Sequence, residues 1–560
     1  VCGICRNYVL VTRVLHTTNN ITTMKVGFTQ EKSHRPMALL NVIVPTLGLF
    51  IAYSSRELWL SAYHTLGLVG TAVLFAVFAA IMYWLHVWTL HITKAATSYV
   101  IVDDNGKITC RNWGLNQSYN PAEIAAPRTL EELQDAIKKR KQKHIKPFGA
   151  LHSWSACYKT DGLAIDMRQL NRVIKIDAEQ MTAKAEGGIM LKDFFEALKP
   201  HKMALATMPN VNMVTLAGTV SNGTHGTNIQ HGTFASLVEE IELVTAKGEL
   251  IVLRKDATDE NEKKQFEAAV ISFGALGVIY SITMKCIPEY NMIIYRETAS
   301  LEHYTKNVVE ISHSYMSSMT VILPSISEVM IKTQSRIKPL GADSVTMKTG
   351  HSFSRVEVLG GMLVHYAMDF LPSSIVRFIK MYPMMKWKWS GITVVPWDQA
   401  EQLPHTKRFI NMEYAVPEKF ASQAIQFASD LIARYAREGK YFRQMAWCVR
   451  PVGCDECGYL SSTNRPDGRP TYYIDIPYQQ SLDKGEVAFY KELEQGLLNL
   501  EGRVSFSRLF WDHSPAVLRN FPDRQKFIEV KKELDPENVF TNKLVHNVLF
   551  GEDTKGEYSQ

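Results

Sequence analysis

The chain has 560 residues, 46% of them apolar, which is enough for two or three packed domains, and the composition indicates neither a disordered chain nor a repeat array. Sixty-two basic and fifty-six acidic side chains leave a formal charge of +6, spread along the sequence, and this mild balance excludes the basic footprint of a nucleic-acid-binding protein. Eight cysteines in this length are too few for a disulfide scaffold.

Two apolar runs lie near the N-terminus, at residues 37–53 and 66–90. The second run is long enough to cross a hydrocarbon core of ~30 Å and too long for the apolar part of a cleaved signal peptide. The first run is short and contains Pro45, so a re-entrant or tilted segment is the alternative to a full span. The sequence therefore predicts a transmembrane helical hairpin within residues 1–110, a lipid bilayer as partner, and an integral membrane location, with the endoplasmic reticulum as the candidate membrane.

After the apolar runs the pattern becomes that of a soluble α+β domain, predicted to cover residues 111–289. Thr129 and Glu132 have the spacing of a capping box, which predicts an amphipathic helix with Leu133 and Ile137 facing inward. Apolar periodicity predicts the shorter elements that follow. The predicted strands cover residues 163–167, 173–177, 181–186, 237–245, 250–253 and 278–286, and a second predicted helix covers residues 189–198.

Beyond Pro288, strand-like segments alternate with long connections until about Ser507. Residues 290–545 are predicted to form a second domain, followed by a tail at 546–560. We expect a small-molecule pocket between the two domains, because such pockets often form at domain interfaces. The aromatic and apolar segment at 362–389 is compatible with a buried helix pair or with an interfacial segment that enters the lipid headgroups.

Two glycine-rich stretches are the candidate ligand-binding loops. The first, from Lys146 to Ser155, is a short apolar strand followed by a turn of small residues, which brings backbone N–H groups close to an anion such as a diphosphate. His152 lies inside this turn, beside the expected ligand. The second, from Gly218 to Gly232, has too many glycines and hydroxyls for a packed helix. Two such loops favour a dinucleotide bound in an extended pose, although each loop alone is also compatible with an ordinary surface turn.

Residues 111–289 resemble the FAD domain of the vanillyl-alcohol-oxidase-type (PCMH-type) flavoproteins, and the closest branch is the aldonolactone oxidases. The first loop of that family is typically Gly-Gly-Gly-His-Ser, of which Gly149, His152 and Ser153 are kept. The resemblance implies an α+β fold, with a two-subdomain FAD domain and a cap domain built on an antiparallel sheet. It also implies FAD as cofactor, with a covalent bond from His152 to the flavin ring. The cofactor-binding residues that the resemblance implies are Phe148, Gly149, Ala150, Leu151, His152, Ser153, Gly218, Ser221, Gly223, Thr224, His225, Gly226, Gly277 and Val278.

In the lactone-oxidase branch, the side chains that take the hydroxyl proton and supply positive charge come largely from two places. One is a Glu-x-Arg strand in the cap, and the other is a lysine in a His-Trp-x-Lys stretch. The matching positions here are Cys448, Arg450 and Arg508, so the arginine is kept, the glutamate is a cysteine and the lysine is an arginine. Arg508 stays protonated and cannot shuttle a proton, and Cys448 could act as a base only if Arg450 lowered the pKa of its thiol. The other candidates for proton transfer, each with a structural hydrogen-bonding role as the alternative, are His225, His231 and His513.

Two C-x-x-C pairs, at Cys2 and Cys5 and at Cys454 and Cys457, have the spacing of half a zinc site or of a redox pair. Neither pair lies in a βαβ pattern, which a thioredoxin-like redox motif would have. The sequence therefore predicts no metal site.

The predicted function is that of a membrane-anchored FAD-dependent oxidoreductase that oxidises a CH–OH group of a sugar-derived lactone or polyol, with O2 as acceptor. The alternatives are a membrane flavoprotein reductase acting on a sterol-like lipid, and a flavin-binding protein that has lost catalysis. Two arginines without the family's glutamate predict a pocket that prefers acidic sugar derivatives to neutral lactones. The exact substrate and the electron acceptor stay open.

Overall fold

The computed structural model describes residues 100–103, 106–323, 326–339, 392–401, 410–438, 446–478 and 484–552. The predicted membrane hairpin and the apolar segment at 362–389 lie outside these residues, so both stay predictions. No helix within the described ranges is both long and apolar enough to span a bilayer.

The first domain begins with two small sheets. Strands β1 (Val100–Val102), β2 (Ile108–Arg111) and β3 (Ser118–Tyr119) form an antiparallel sheet. Strands β4 (Glu123–Ala125), β5 (Ile145–Phe148) and β6 (Leu163–Asp166) form a parallel sheet in the order β4-β6-β5. Helix α1 (Leu130–Lys138) connects β4 to β5 and buries Leu133 and Ile137 in the core of this region.

The capping box predicted at the start of α1 is confirmed. The Thr129 hydroxyl accepts from the backbone N–H of Glu132 at 3.2 Å. The Glu132 carboxylate in turn accepts from the backbone N–H of Arg128 at 2.8 Å. Two N–H groups at the helix start thus gain acceptors that the helix itself does not supply.

The second part of this domain is a five-stranded antiparallel sheet, within the described residues, in the order β11-β10-β12-β8-β7. Its strands agree with the predicted ones to within one or two residues at each end. The strands are β7 (Val173–Asp177), β8 (Thr182–Glu186), β10 (Val238–Val244), β11 (Leu250–Arg254) and β12 (Val278–Lys285). Around them lie α2 (Leu191–Leu198), β9 (Met203–Ala204), α3 (Leu216–Ser221), α4 (Glu260–Ala269) and β13 (Ile287–Pro288).

Among the described residues, eight strands form the sheet of the cap domain, and all neighbouring strands in it are antiparallel. In spatial order they are β17 (Thr393–Pro396), β14 (Asn291–Ser300), β16 (Glu328–Ile337), β15 (Ser317–Ile322), β19 (Trp447–Val452), β20 (Thr471–Tyr478), β18 (Ile410–Pro417) and β21 (Arg503–Val504).

Helices cover one face of the cap sheet, and the other face points towards the first domain. Helix α6 (Ala421–Arg437) packs between α5 (Leu301–His313) and α7 (Lys484–Asn499). Side chains alternate between the faces of a strand, and Tyr414 of β18 contacts Glu494 of α7, so its neighbour Glu413 points to the opposite face. The predicted α+β architecture with an antiparallel cap sheet is therefore confirmed.

After the cap, the chain returns to the first domain. The backbone N–H of Trp154 donates to the carbonyl of Ser507 at 2.7 Å, and that of Ile145 donates to Val539 at 2.8 Å. The buried Lys146 ammonium donates to the carbonyls of Gly274 (2.9 Å) and Phe540 (3.2 Å). Helices α8 (Arg524–Leu534) and α9 (Lys543–Phe550) complete this segment. The first glycine loop and the stretch that carries Arg508 are thereby held side by side.

Candidate active site

The first loop follows β5, and close packing fixes its course. A Cβ atom at Gly149 would overlap the Thr215 hydroxyl at the start of α3, so only glycine fits there. Leu151 has a left-handed backbone conformation, with φ at +54°. Among the residues that the structure describes, no group accepts from the backbone N–H groups of Ala150 and Leu151. Two adjacent donors of this kind form a cradle for an anion.

His152 stands on the next position of the loop and stacks on Trp113, with ring centroids 5.0 Å apart and planes inclined by 16°. The neighbouring carbonyl of Ser153 accepts from the Asn112 side chain at 2.9 Å. These contacts fix the orientation of the imidazole relative to the loop, which a covalent attachment point requires.

The second loop starts with Gly218 and Ser221 in α3 and turns at Gly223, where φ is +62°. The backbone N–H of Thr224 donates back to the Thr219 carbonyl at 3.0 Å. A Cβ atom at Gly226 would overlap the carbonyl of Met208, so this glycine also permits a close backbone approach.

Gly277 and Val278 lie at the start of β12 rather than in a loop. A Cβ at Gly277 would lie 2.7 Å from the carbonyl of Val244, whose residue pairs with Val278 across the sheet. Gly277 thus permits the close packing of β10 against β12, and the part of Gly277 and Val278 in cofactor binding stays a prediction.

The two loops fit a dinucleotide flavin. Gly149 packs directly on the residue that precedes α3, so the anion cradle and the second loop share one surface. Residues Phe148 to Ser153 would hold the diphosphate and the ring, and Gly218 to Gly226 would line the opposite side.

A charged cluster lies on the face of the cap sheet that points towards these loops. Strand register places Val321, Cys448, Asp475 and Glu413 directly opposite one another on four neighbouring strands, so these four side chains share that face. Arg450, two residues after Cys448, lies on the same face. The fold thus brings two carboxylates and an arginine together from three different strands.

Arg450 binds both carboxylates of the cluster. Its Nη2 donates to Glu413 Oε1 and to Asp475 Oδ2 in short ion pairs. Glu413 Oε2 accepts from Arg508 Nε at 2.7 Å, and Asp475 Oδ1 accepts from the Asn411 amide at 2.6 Å. The formal charges of two arginines and two carboxylates sum to zero.

This arrangement corrects the prediction that the two arginines have no carboxylate and so prefer an acidic substrate. The carboxylates come from β18 and β20 rather than from position 448, and both arginines are paired. A neutral cluster offers no net attraction to an anion.

Burial and neighbouring charge set the protonation states. Burial raises the pKa of the Glu413 carboxyl, but the guanidiniums of Arg508 and Arg450 outweigh burial and hold this pKa well below its usual range. Burial raises the pKa of Asp475 to about 6, although Arg450 opposes the rise. Burial, reinforced by the charge of Asp475, raises the pKa of the Cys448 thiol to about 12. A role for Cys448 as a base was therefore the wrong alternative, because its thiol stays protonated at neutral pH.

His225 connects the second glycine loop to the cluster. Its ring stacks on Tyr473 at 3.6 Å between centroids, and its Nε2 lies 3.3 Å from Glu413 Oε1. Its Nδ1 lies 2.9 Å from the carbonyl of Gly226. Burial lowers the pKa of this imidazole, while the charge of Glu413 acts in the opposite direction. His225 thus belongs to the cap cluster, and its part in cofactor binding stays a prediction.

The other two candidate histidines lie elsewhere. His513 Nε2 shares a hydrogen bond with the Phe510 carbonyl at 3.0 Å. Burial lowers the pKa of His231 and of His513. In the described ranges, no ion pair joins either of them to Glu413.

Arg508 forms the side of the cluster nearest the first loop. Its guanidinium lies over the Trp154 ring, 4.7 Å from the centroid, and Trp154 follows His152 by two residues. The Arg508 side chain is 20% exposed, whereas that of Glu413 is fully buried. Arg508 is therefore the cation of the cluster that is most accessible from the flavin side.

Cys454 and Cys457 do not form a metal site. Their sulfurs lie 3.3 Å and 3.9 Å from the backbone carbonyls of Asp455 and Ala235. Throughout the described part of the chain, no group of His, Cys, Asp and Glu side chains could hold a metal ion. Cys2 and Cys5 lie outside that part.

Sequence reasoning missed Glu413 and Asp475. Each is the one charged side chain in its strand, Ile410–Pro417 or Thr471–Tyr478, and most of the described side chains in these strands are buried. A charge in such a strand must have a partner, because an unpaired buried charge is strongly unfavourable. That pattern was the available signal, but it could not identify Arg450 as the partner.

Asn210 was also missed. In one orientation of its side-chain amide, both of its polar atoms form hydrogen bonds. The amide nitrogen donates to the Glu401 carbonyl at 3.1 Å, and the amide oxygen accepts from Arg450 Nη1 at 3.1 Å. Arg450 is therefore held from the first domain as well as from the cap sheet.

Two family models match the chain in succession. One, described as FAD binding domain, matches residues 121–254, and the other, described as D-arabinono-1,4-lactone oxidase, matches residues 282–548. The fold is also that of a cholesterol oxidase from Brevibacterium sterolicum, with a TM-score of 0.64 over 79% of this chain and 97% of that one. Its 14% sequence identity carries no argument about function.

Curated relatives are similar to the chain over most of its length. An L-gulono-1,4-lactone dehydrogenase from Mycobacterium tuberculosis is 25% identical over 446 residues, which cover 78% of this chain and 98% of the relative. An alditol oxidase from Streptomyces is 22% identical over 469 residues, which cover 79% and 99% respectively. The chain is therefore an FAD-dependent oxidoreductase, and over most of its length it is similar to aldonolactone oxidases and dehydrogenases.

Proposed function

We propose that the protein is a membrane-attached flavoenzyme that oxidises a CH–OH group of a neutral sugar-derived lactone or polyol, with O2 as acceptor. The names of its relatives support a lactone or an alditol as the substrate class. The apolar runs at 37–53 and 66–90 support membrane attachment.

The observation that carries the proposal is the charge-neutral cluster beside the first loop. Arg450 and Arg508 are both paired with Glu413, and Arg450 also with Asp475, so the site offers many polar contacts but no net charge. A neutral molecule rich in hydroxyl groups matches this chemistry, because each hydroxyl can both donate and accept.

The residues have distinct roles in the proposed reaction. Bound FAD supplies the acceptor for the substrate hydride. Arg508 uses its Nε for Glu413 and lies at the exposed side of the cluster, so its terminal N–H groups would hold the reacting oxygen. Arg450 holds the carboxylates of Glu413 and Asp475 in place. Two cations near this oxygen stabilise the negative charge that develops as its proton leaves.

A sterol-like lipid is the second candidate substrate, and the cluster argues against it. A buried group of four charges is a poor surface for a hydrocarbon ring system. The third candidate, a flavin-binding protein without catalysis, rested on the altered residues at 448 and 508. Glu413 and Asp475 weaken that argument, because they supply the carboxylates that position 448 lacks.

The test is anaerobic reduction of the flavin in the purified protein. L-Gulono-1,4-lactone, D-arabinono-1,4-lactone and sorbitol are mixed with it, and bleaching of the flavin absorbance is followed. We expect at least one neutral lactone or polyol to reduce the flavin, and the matching aldonic acids to react far more slowly. Failure of all neutral donors, with reduction by a sterol or by none, would sink the proposal.

Oxygen consumption tests the proposed acceptor. A protein reduced by its substrate should be reoxidised by dissolved O2 within the time of turnover. Rapid turnover with an artificial dye but none with O2 would instead identify a dehydrogenase.

A further inference from the structure

The oxidation of a CH–OH group releases the hydroxyl proton as the hydride leaves carbon, so the site needs a group that accepts the proton. Arg450 and Arg508 stay protonated at any relevant pH and cannot do so. Among the described residues, the candidates in the cluster are Glu413, Cys448, His225 and Asp475. Glu401 also acts on Arg450, but its carboxylate is turned to the Thr227 hydroxyl and to Lys332.

Glu413 is already fully engaged. Oε1 accepts from Arg450 and lies 3.3 Å from His225 Nε2, and Oε2 accepts from Arg508. The side chain has no exposed surface. A carboxylate that holds two guanidiniums is a weak base, because both cations favour its ionised form.

Cys448 and His225 fail for different reasons. The Cys448 thiol stays protonated at neutral pH, because burial raises its pKa. His225 is 2% exposed, and its two ring nitrogens face acceptors, the Gly226 carbonyl and Glu413. Nε2 is buried and turned towards Glu413, so it is not directed at a space that a substrate could enter.

Asp475 keeps acceptor capacity. It receives one hydrogen bond from Arg450 and one from Asn411, whereas a carboxylate offers about four lone-pair sites. Its side chain is 9% exposed, and it lies directly opposite the partly exposed Cys448. Of the two carboxylates in the cluster, Asp475 is therefore the one that combines remaining acceptor positions with some exposed surface.

We propose that Asp475 accepts the hydroxyl proton of the substrate, an inference that rests on the proposed function. The O–H bond breaks, and its electron pair forms the second C–O bond of the carbonyl product. Bound FAD would take up the electron pair of the C–H bond at the carbinol carbon as a hydride. The proton goes to a carboxylate oxygen of Asp475 and from there to solvent after product release.

The charged groups that face Asp475 come from three elements. Arg450 and the Cys448 thiol lie on β19, Glu413 on β18, and Arg508 on the C-terminal segment. Burial raises the pKa of Asp475 to about 6, and Asp475 must be ionised to accept a proton. In the wild-type enzyme, kcat/KM should therefore rise with pH through about 6 and level off above it.

Asp475→Asn is the first variant, because it keeps the size of the side chain and an oxygen for Arg450. We expect anaerobic flavin reduction to slow by about 10²- to 10⁴-fold, the usual contribution of general base catalysis, with unchanged flavin content. The rise of kcat/KM near pH 6 should disappear from the residual activity.

A moved carboxylate separates a proton acceptor from a structural contact. In Asp475→Asn with Cys448→Asp, the carboxylate stands on the directly opposite position of β19, and we expect about tenfold recovery of the lost rate. In the matched control, Asp475→Asn with Val321→Asp, the carboxylate stands one strand further away, and the rate should stay as low as in the single variant.

Two results would overturn the inference while leaving the proposed function intact. One is a wild-type enzyme that oxidises a lactone with a pH-independent kcat/KM between pH 5 and 8, a measurement that needs no variant to fold. The other is Asp475→Asn reducing its flavin at the wild-type rate. If no lactone or polyol reduces the wild-type flavin, the proposed function fails first and the inference falls with it.

Discussion

At the scale of single residues, Arg450 matters for stability as well as for chemistry. It is the shared partner of two buried carboxylates, and removing one partner of a buried ion pair costs about 3–5 kcal/mol. Arg450→Ala should therefore lower the free energy of unfolding by about this amount, as measured by urea denaturation. Arg508→Ala is the control: Arg508 is partly exposed and Glu413 keeps Arg450, so the loss should be clearly smaller.

The pH dependence of the Arg450→Ala defect has a definite sign. The pKa of Asp475 is raised in the folded protein, so its protonation favours folding, and this contribution is lost as pH rises through about 6. Without Arg450, the ionised carboxylate of Asp475 destabilises the folded protein further, because its cationic partner is gone. The stability deficit of the variant should be larger at pH 7 than at pH 5. An equal deficit at both values would show that Asp475 is not the group involved.

Cys448→Glu, which restores the family residue, should not improve the enzyme. The new carboxylate would stand directly opposite Asp475, and like charges in that position repel each other. We expect the pKa of Asp475 to rise further and the activity profile to move to higher pH, with lower kcat/KM at pH 6. Higher lactone turnover at pH 6 would instead show that position 448 is the natural place for the carboxylate.

His152 is predicted to carry the flavin covalently, since its ring is held on Trp113 beside the anion cradle. The acid-denatured protein should retain yellow fluorescence that runs with the protein band on a gel. His152→Ala should bind FAD only non-covalently and keep its fold. Complete release of flavin from the denatured wild-type protein would contradict the covalent bond.

At the scale of elements, the contact between the first loop and the residue before α3 should govern cofactor retention. Gly149→Ala puts a methyl group into the Thr215 side chain and must displace the loop or the start of α3. We expect the purified variant to contain much less flavin, while circular dichroism stays close to wild type. Adding Thr215→Ala removes the atoms that clash most and should restore part of the flavin. Wild-type flavin content in Gly149→Ala would show that the loop has room to move.

Local sequence patterns predicted the helices and strands of the first domain. They could not predict the charged cluster of the cap, because that cluster depends on pairing between strands that are far apart in the sequence. The capping box at Thr129 and the strands around Leu163 and Val238 depend on neighbours in sequence, so a short window contains their signal. The cluster depends on strand order in the cap sheet, which puts Glu413 within reach of Arg450, 37 residues away. The resemblance located the cap residues by their spacing in the sequence, so it could not find a carboxylate that reaches Arg450 from another strand.

At the scale of the whole molecule, the described residues begin with β1 at Val100, which pairs with β2, and both glycine loops follow it. A protein lacking residues 1–97 should fold, bind flavin and remain in solution, whereas the full chain should pellet with membranes even in high salt, because apolar contacts are not screened. Continued pelleting of the shortened protein would implicate the segment at 362–389. Full-length protein that stays in solution would refute the membrane hairpin.

The return of the chain to its starting domain has a consequence for biosynthesis. Strand β5 lies at the edge of the parallel sheet, and its Ile145 N–H bonds to Val539, while Lys146 bonds to Phe540, 394 residues further along the chain. At roughly 5–20 residues per second, a ribosome needs about 20–80 s to make that stretch. Throughout this time the Ile145 N–H lacks the Val539 carbonyl and Lys146 lacks one of its carbonyl acceptors, so we expect flavin incorporation to await the end of translation. A premature stop codon shortly before Val539 would therefore abolish the flavoprotein, although every residue of both glycine loops would already have been made.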